Sequence, residues 1–442
     1  MTYKIQVRDM LHEHVGDKAL LFTTDGTSPN MFLGGSVPDT LTTIDFGSRS
    51  NVKAQFDTLR KYRPTGPLMN SEYYTGWLTH WGEQLQTDSA TAVVNTLGDM
   101  LALGINVNFY VFFGGTNFEF SSGANYETVY QPDITSYDYD APLTEAGDPT
   151  PKYFMIRDKL KEFNLVDESI ETPKSSSKGK YGVVNVTFKV SLLSESGKKS
   201  LGKPYYNCDG IRVPTFEELR QRSGLVLYET TLTEEAGLLE ISAPRDLIFV
   251  FVDGVYKGQI SRMHKITSLP LSSSKVGSVL SLLVENQGRI NYGPMLHDYK
   301  GILSPVKHNR KILSGNWTIT GFPLEVLNLP ETESTPVLGS PAIFEGQFKL
   351  PTGVTPLDTF IDTTGWGKGY IWVNGHNLGR YWPDTGPQVT LYVPGVWLKP
   401  EPEVNLLQIL ELRKPSDTLS VEFIDYPILN RTGTYRSRRS YV

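Results

Sequence analysis

The sequence predicts a multidomain protein in which an α/β region is followed by two all-β domains. In the first 163 residues, continuous apolar runs alternate with helical stretches, and this pattern is typical of a parallel sheet. A polar linker follows. The rest of the chain consists of short alternating segments separated by Gly, Pro and Asn turns, a pattern typical of β-sandwiches.

The α/β region begins with a predicted helix that ends at Gly16. Four strand-like runs follow, and each becomes polar at its C-terminal end; they cover residues 19–26, 42–47, 66–74 and 105–115. Between the last two, residues 87–104 predict a helix that Asp88 caps and Gly104 ends. Its apolar stripe consists of Val93, Leu97, Met100 and Leu101. Polar residues at the ends of parallel strands are where α/β barrels build their active sites.

Residues 164–195 are predicted to be a linker, because NLVDESIETPKSSSKGK is polar and rich in Ser and Lys. Two β-sandwich domains are predicted at 196–322 and 338–430, followed by a basic tail at 431–442. The segments FVFVDGVYKG and YIWVNGHNLG each combine a strand, an Asp-Gly or Asn-Gly turn and a later glycine. Both turns suit type I′ hairpins, and their similarity indicates a duplicated architecture.

Composition limits the classes of partner and compartment. A net charge of −6 over 442 residues argues against nucleic acid as the main partner. No run approaches the roughly 20 apolar residues that span a bilayer, and the N-terminal residues show no signal peptide. The single cysteine, Cys208, excludes an intrachain disulfide. Glycosylation sequons at Asn185, Asn316 and Asn430 weakly favour a secretory route.

Metal and cysteine chemistry find little support in the spacing of residues. His12 and His14 diverge around the first helix, and Cys208 has no histidine near it in sequence. The segment GWGKGY lacks the spacing of a phosphate loop, and no G-x-S-x-G is present. We therefore expect no metal and no cofactor. Asp25 and Asp45 also end strand-like runs, where capping of the next element is the favoured role.

Glu72 is the carboxylate with the strongest case for catalysis. It follows an apolar run in GPLMNSEYYTGW, and its sequence neighbours are the aromatic residues Tyr73, Tyr74, Trp77 and Trp81. Aromatic faces stack on sugars, and a carboxylate beside them attacks or stabilises an oxocarbenium-like centre. The local sequence fits a solvent-facing glutamate equally well. Likewise, Tyr110, Tyr137 and Tyr139 are either rings of a sugar pocket or core residues with a bonded hydroxyl.

Several long motifs resemble the β-galactosidases of glycoside hydrolase family 35. They are GPLMNSEYYTGWLTHWG, VNFYVFFGGTNFEF, GANY, TSYDYDAPLTEAGDPTPKY, VENQGRINYG, KGYIWVNGHNLGRYWPDTGPQVTLYVP and FTTDG. The resemblance implies that residues 1–163 form the C-terminal half of a (β/α)8 TIM barrel, strands five to eight, before two jelly-roll-like β-sandwiches. It also implies retaining hydrolysis of terminal β-galactose from glycolipids, glycoproteins or glycosaminoglycans. A lysosomal, vacuolar or secreted full-length protein and a homodimer, as in the family, are further expectations.

Site residues carry over from the family motif by motif. Glu72 in NSEYY matches the nucleophile, Tyr74 and Tyr110 match aromatic residues beside it, and Tyr139 matches a sugar-contacting tyrosine with Tyr137 close by. The acid/base glutamate of the family lies in a V-E-N-E-Y motif that this sequence lacks, because its only VEN continues as QGR within the β region. Retaining hydrolysis needs two carboxyl groups, so we expect the chain alone to be inactive or nearly so.

Two other hypotheses remain open. In the first hypothesis, the chain is a non-catalytic carbohydrate-binding or interaction module built from the two sandwiches. In the second, it is an active enzyme that uses another acid, such as Asp25 or Glu119.

Overall fold

A computed structural model describes residues 2–330 and 341–431. The chain divides into two compact units, and both are discontinuous in sequence. Unit 1 comprises Met1–Thr79, Gln86–Thr116 and Tyr137–Ser176, and unit 2 comprises His80–Leu85, Asn117–Ser136 and Ser177–Val442. The predicted tail from residue 432 onward and the predicted start of the second sandwich at 338 lie outside the described residues.

Unit 1 is built on a parallel sheet in the order β1-β2-β3-β4. Its strands are β1 (Phe22–Gly26), β2 (Leu41–Gly47), β3 (Met69–Tyr74) and β4 (Asn106–Tyr110). Its helices are α1 (Thr2–Val15), α2 (Pro29–Gly35), α3 (Val52–Tyr62), α4 (Ala90–Ala102) and α5 (Pro151–Glu162), with a short 3₁₀ helix at Gly16–Lys18. Each of the four strand-like runs therefore contains a strand, and the predicted parallel sheet is present.

The helices of unit 1 differ in how much they bury. Helix α4 packs its predicted stripe into the core of the unit, where Val93, Leu97 and Met100 are fully buried. Helix α1 buries none of its residues. The cap of α4 is Ser89, whose hydroxyl accepts from the Ala92 amide, so the prediction of Asp88 was wrong. No helix among the described residues is long and apolar enough to cross a membrane.

Unit 2 is almost entirely β-structure. Its first elements are β5 (Ala124–Tyr126), β6 (Tyr130–Pro132), β7 (Gly182–Asn185), β8 (Thr187–Ser191), α6 (Glu195–Leu201), β9 (Lys203–Gly210), β10 (Leu225–Thr231), β11 (Gly237–Glu240), β12 (Pro244–Arg245), β13 (Leu247–Val252), β14 (Val255–Ser261), β15 (Ser268–Leu271), β16 (Val279–Glu285), β17 (Gly301–Ile302), β18 (Lys307–His308), β19 (Lys311–Ile312) and β20 (Gly315–Phe322). The later ones are β21 (Ala342–Phe348), β22 (Thr359–Asp362), β23 (Gly369–Val373), β24 (His376–Tyr381), β25 (Thr390–Val393), a 3₁₀ turn at Gly395–Trp397, β26 (Asn405–Glu411) and β27 (Ser420–Ile424).

These strands form two sandwiches. The first pairs a sheet β14-β13-β16-β10-β20-β9 with a sheet β15-β11-β18-β19, and the second pairs β24-β23-β26-β21-β8 with β25-β22-β27-β7. Strands β7 and β8 lie inside the stretch predicted to be a linker, so the prediction was too long at its C-terminal end. Their partners are strands β27 and β21, more than a hundred residues away, which local sequence does not reveal.

The two similar hairpins have the predicted turns. The turn between β13 and β14 has positive φ at both Asp253 (49°) and Gly254 (73°), and the turn between β23 and β24 has it at both Asn374 (51°) and Gly375 (87°). Positive φ at both central residues is the geometry of a type I′ turn.

The central strands of the two sandwiches are buried on both faces. Along β13, Ile248, Val250 and Val252 face the core of the first sandwich. The alternate residues Leu247, Phe249 and Phe251 pack in a second apolar layer with residues of the second sandwich, namely Ile343, Tyr370, Trp372 and Leu410. This explains why LIFVFV is continuously apolar, since side chains alternate between faces and both faces exclude water.

A buried ion cluster lies beside this shared layer. The Glu285 carboxylate accepts hydrogen bonds from the ammonium of Lys368, from Arg380 Nε at 2.8 Å and from the Tyr370 hydroxyl at 3.0 Å. All of these ionic groups are nearly inaccessible to solvent. Burial alone would raise the pKa of Glu285, but Lys368 and Arg380 outweigh it and hold the pKa below its usual range.

We expect Glu285→Gln to lower the free energy of unfolding by about 3–5 kcal/mol, because it leaves two buried cations without their countercharge. Denaturant unfolding, followed by near-ultraviolet circular dichroism, measures the change. Lys414→Ala is the control: it removes one partner of an exposed ion pair with Asp417 and should change stability by less than about 0.5 kcal/mol. Equal losses of unfolding free energy in the two variants would contradict the conclusion that Glu285 neutralises two buried cations.

Candidate functional site

The C-terminal ends of the parallel strands in unit 1 bring the predicted acids to one edge of the sheet. Asp25, Asp45 and Glu72 lie near the ends of β1, β2 and β3, and Tyr110 is the last residue of β4. The strand register places Asp45 next to Glu72 and Tyr74 next to Tyr110. Residues that the sequence suggested separately therefore share one location, as expected where parallel strands end together.

The Glu72 carboxylate is held by a tyrosine two residues later on the same face of β3. The Tyr74 hydroxyl lies 3.1 Å from Glu72 Oε2 and 2.9 Å from Asp45 Oδ2. Burial and these two carboxylates raise the pKa of Tyr74, so the phenol keeps its proton and remains a donor. The Glu72 amide donates to Asn70 Oδ1 at 3.1 Å, and the Asn70 amide donates to the Phe46 carbonyl, which fixes this end of β3 to β2.

Five aromatic rings gather beside Glu72. Ring-centre distances are 5.1 Å for Tyr74–Trp77, 5.9 Å for Tyr74–Tyr110, 6.1 Å for Tyr110–Tyr139 and 5.5 Å for Tyr137–Tyr139. Trp77 is 48% exposed and Tyr110 is 40% exposed, so both present open ring surface. Open ring faces of this kind can stack against the C–H groups of a sugar. The structure thus brings together all four tyrosines that the sequence suggested.

Tyr139 differs from the other rings because its hydroxyl is buried. That hydroxyl has no hydrogen-bond partner among the described residues. Burial, followed by the neighbouring Tyr137 and Tyr110 and then Glu72, raises the pKa of Tyr139, so its hydroxyl stays protonated. A buried donor without a partner is costly, and such a donor next to a carboxylate is suited to a ligand hydroxyl.

Two other aromatic residues that lie near Glu72 in the sequence have contacts of their own. Tyr73 is completely buried, and its hydroxyl donates to the Val93 carbonyl of α4 at 2.6 Å, because adjacent residues of a strand face opposite sides of the sheet. Trp81 belongs to unit 2, where it packs against Trp382 with ring centres 6.1 Å apart.

A buried lysine joins the end of β3 to the loop that carries Tyr139. Lys152 Nζ donates to the carbonyls of Thr75 at 2.7 Å and Asp140 at 2.5 Å, and it pairs with Asp140 Oδ2 at 2.6 Å. The approach is close: a Cβ at Gly76 would lie 1.8 Å from the Tyr139 carbonyl oxygen. Both the lysine and the glycine therefore set the distance between Glu72 and Tyr139.

Sequence reasoning missed Lys152, although a signal was present. Lys152 and Ile156 are the buried residues of α5, and they are four residues apart on one helix face. A lysine at a core-facing position of a helix needs a buried partner, so its place in the sequence indicates a buried contact.

The remaining candidates have other surroundings. Asp25 is buried and accepts from the Thr23 hydroxyl at 3.0 Å, and its burial raises its pKa. Glu119 lies in unit 2. Glu285, the acid of the VEN sequence, is engaged in the buried ion cluster. The side chain of Cys208 lies outside what the structure describes. The described residues contain no group of three or more His, Cys, Asp or Glu that could hold a metal ion.

The predicted glycosylation positions are accessible. Asn185 ends β7, Asn316 lies in β20, and Asn430 follows the last strand; all three are exposed. Exposure is what a glycosylation acceptor requires.

Three family models match successive parts of the chain. Residues 1–163 match the glycosyl hydrolases family 35, residues 214–325 match the first all-beta domain of beta-galactosidase, and residues 341–405 match its galactose-binding domain.

Curated relatives resemble nearly the whole chain. A beta-galactosidase of Bos taurus is 41% identical over 96% of this chain and 68% of its own length, and one of Homo sapiens is 39% identical over 96% and 65%. A beta-galactosidase-1-like protein of Mus musculus is 40% identical over 95% and 65%. The chain thus spans 65–68% of the length of these relatives. A solved GH2 beta-galacturonidase of Eisenbergiella tayi is 13% identical over 52% of this chain and 38% of its own, with a TM-score of 0.18, too low to inform the fold.

We expect Lys152→Met to lower the free energy of unfolding by about 3 kcal/mol, because it leaves two carbonyls and a carboxylate without their donor. Amide hydrogen exchange should become faster at residues 137–141, where the loop loses its attachment. Lys161→Met is the matched control: it lies on the same helix, but its ion pair with Glu168 is exposed. Unchanged exchange in the Lys152 variant would show that the loop is held by other contacts.

Proposed function

Since the chain belongs to the glycosyl hydrolases of family 35, we propose that Glu72 is the nucleophile of a retaining exo-β-galactosidase site. The observation that carries the proposal is the hydrogen bond from Tyr74 to a half-buried Glu72 carboxylate beside the exposed rings of Trp77 and Tyr110. A fixed carboxylate next to open aromatic faces is suited to attack on a bound sugar.

In this mechanism the Glu72 carboxylate attacks the anomeric carbon of a terminal β-galactose. The bond to the leaving oxygen breaks, an ester between sugar and enzyme forms, and water then hydrolyses the ester with a second inversion. Trp77 and Tyr110 would pack against the sugar ring, while the Tyr139 hydroxyl would donate to a sugar oxygen, with Tyr137 packed behind it. Tyr74 would keep the carboxylate in line for attack.

The reaction also needs a proton donor for the leaving oxygen. The family's acid/base motif has no counterpart in these 442 residues, and Asp45 is engaged with Tyr74. We therefore propose that this chain does not cleave unactivated galactosides by itself, since general acid catalysis typically contributes about 10²–10⁴-fold. In this proposal residues 1–163 correspond to strands five to eight of a TIM barrel. Two sandwiches follow, and the second also includes β7 and β8 from the predicted linker.

A whole protein of this family would hydrolyse terminal β-galactosides of glycolipids, glycoproteins or glycosaminoglycans. A lysosomal or secreted location and a homodimer belong to the same proposal. The support for them is the similarity to animal beta-galactosidases.

An activated substrate tests Glu72 without the missing proton donor. Dinitrophenyl β-galactoside has a leaving group that departs unprotonated, so the chain should form the sugar ester and release dinitrophenol. Added azide should speed the reaction and yield β-galactosyl azide, because a small anion attacks the ester without general base assistance. Product configuration is read by nuclear magnetic resonance.

Glu72→Gln is the control for this experiment. It keeps the shape of the side chain and should abolish both dinitrophenol release and azide product, because an amide does not form the ester. Release that persists in this variant, or an azide product of α configuration, would refute Glu72 as the nucleophile. Turnover of an unactivated galactoside by the unmodified chain would show that another residue, such as Asp25 or Glu119, supplies the proton.

A second candidate function is carbohydrate binding without hydrolysis. Its support is that residues 341–405 match a model described as a galactose-binding domain. Calorimetric titration of the full chain with galactose separates the two candidates. Binding that is weakened by Trp77→Ala assigns the sugar to the sheet edge of unit 1, whereas binding that is unchanged by Trp77→Ala and Glu72→Gln assigns it to the sandwiches.

A further inference from the structure

Two carboxylates at the sheet edge face a single hydroxyl hydrogen. Asp45 and Glu72 are neighbours in the register of β2 and β3, and the Tyr74 hydroxyl is within hydrogen-bond distance of both. A phenol has one hydrogen, so it donates to only one of the two acids at a time. The other Asp45 oxygen, Oδ1, is buried and has no hydrogen-bond partner among the described residues.

We propose that Asp45 is a positioning residue that acts on Glu72 through Tyr74, by accepting the Tyr74 hydrogen whenever Glu72 carries the sugar. This inference rests on the proposed function, because it assigns a role to Asp45 only if Glu72 is the nucleophile.

In the free site, both carboxylates compete for the same hydrogen. Glu72 therefore receives only part of the stabilisation that a dedicated donor would provide, and it also faces the negative charge of Asp45. Both effects keep Glu72 a better electron donor toward the sugar. Among the described residues, neither acid forms an ion pair, so no cation offsets this effect.

When Glu72 becomes an ester, the Tyr74 hydroxyl donates preferentially to Asp45. An ester oxygen is neutral and accepts weakly, whereas Asp45 remains a carboxylate and forms a charge-assisted bond with the Tyr74 hydroxyl. No proton is transferred in this exchange: the hydrogen stays covalently bound to Tyr74, whose burial keeps the phenol protonated. Rotation of the Tyr74 hydroxyl therefore provides a hydrogen bond to Glu72 in the free site and to Asp45 when Glu72 is esterified.

Other titratable groups near the two acids come from the elements packed around them. They are Asp25 on β1, Tyr110 on β4 and Tyr139 in the loop anchored by Lys152. Burial raises the pKa of Tyr139, so this phenol contributes no change of charge over the range in which carboxylates titrate. Asp25 is the other acid at this edge and has its own partner, Thr23.

The test measures covalent trapping of the full 442-residue chain by 2-deoxy-2-fluoro-β-galactosyl fluoride at several pH values. Fluoride leaves without a proton donor, so the rate reports on Glu72 alone. Asp45→Asn removes the competing charge and lets Tyr74 donate fully to Glu72, and the pH of half-maximal trapping should fall by about one unit. Tyr74→Phe removes the donor, and this pH should rise by about one unit.

Opposite shifts are the signature of the proposed role, because a merely structural role of Asp45 has no reason to mirror that of Tyr74. Asp25→Asn is the matched control: it makes the same chemical change at the same edge without contact to Tyr74, and it should shift the profile by less than about 0.3 unit. If Asp45→Asn does not fold, as judged by circular dichroism, Asp45→Ser replaces it with the same expected direction.

Shifts of the same sign in the Asp45 and Tyr74 variants, or an unshifted Asp45 profile, would overturn the inference while trapping at Glu72 in the unmodified chain still supports the proposed function. Trapping at another residue, or no trapping at all, in the unmodified chain would overturn both.

Discussion

The site depends on the burial of one positive charge. Lys152 places its ammonium among oxygens from the end of β3 and from the loop that carries Tyr139, and it has almost no access to water. A buried charge without partners is strongly unfavourable, so any movement that separates these two segments is opposed. The relative positions of Glu72, Tyr74 and Tyr139 follow from this constraint, although Lys152 itself touches none of their side-chain polar atoms.

The ends of the parallel strands could be predicted from the sequence, because the pattern that marks them is local. An apolar run that becomes polar predicts where a parallel strand ends, and parallel strands deliver their ends to one edge. This reasoning assigned Asp25, Asp45 and Glu72 to strand ends, and the motifs suggested the tyrosines; the strand register then showed that they share one edge. The role suggested for Asp45 was capping, however, because its contact with Tyr74 depends on the register between two strands.

Two kinds of feature could not be predicted from the sequence: which face of a strand a side chain occupies, and which distant strands pair with each other. A shift of one residue along β3 decides whether an aromatic ring faces the site or α4, and Tyr73, the next residue after Glu72, faces α4. Strands β7 and β8 look like linker because their partners lie in a distant part of the chain. The VEN sequence shows the complementary problem: a short match to a family motif lies on β16, where Glu285 neutralises two buried cations.

The double-sided burial of β13 and its neighbours limits how this architecture can vary. Leu247, Phe249 and Phe251 are a covering surface for the second sandwich as well as part of the first. Neither sandwich can be replaced alone by the corresponding domain of a relative, since the new domain would meet a mismatched apolar surface. Substitutions in this layer are therefore expected to arise in compensating pairs across the two domains, while diversity accumulates in the loops.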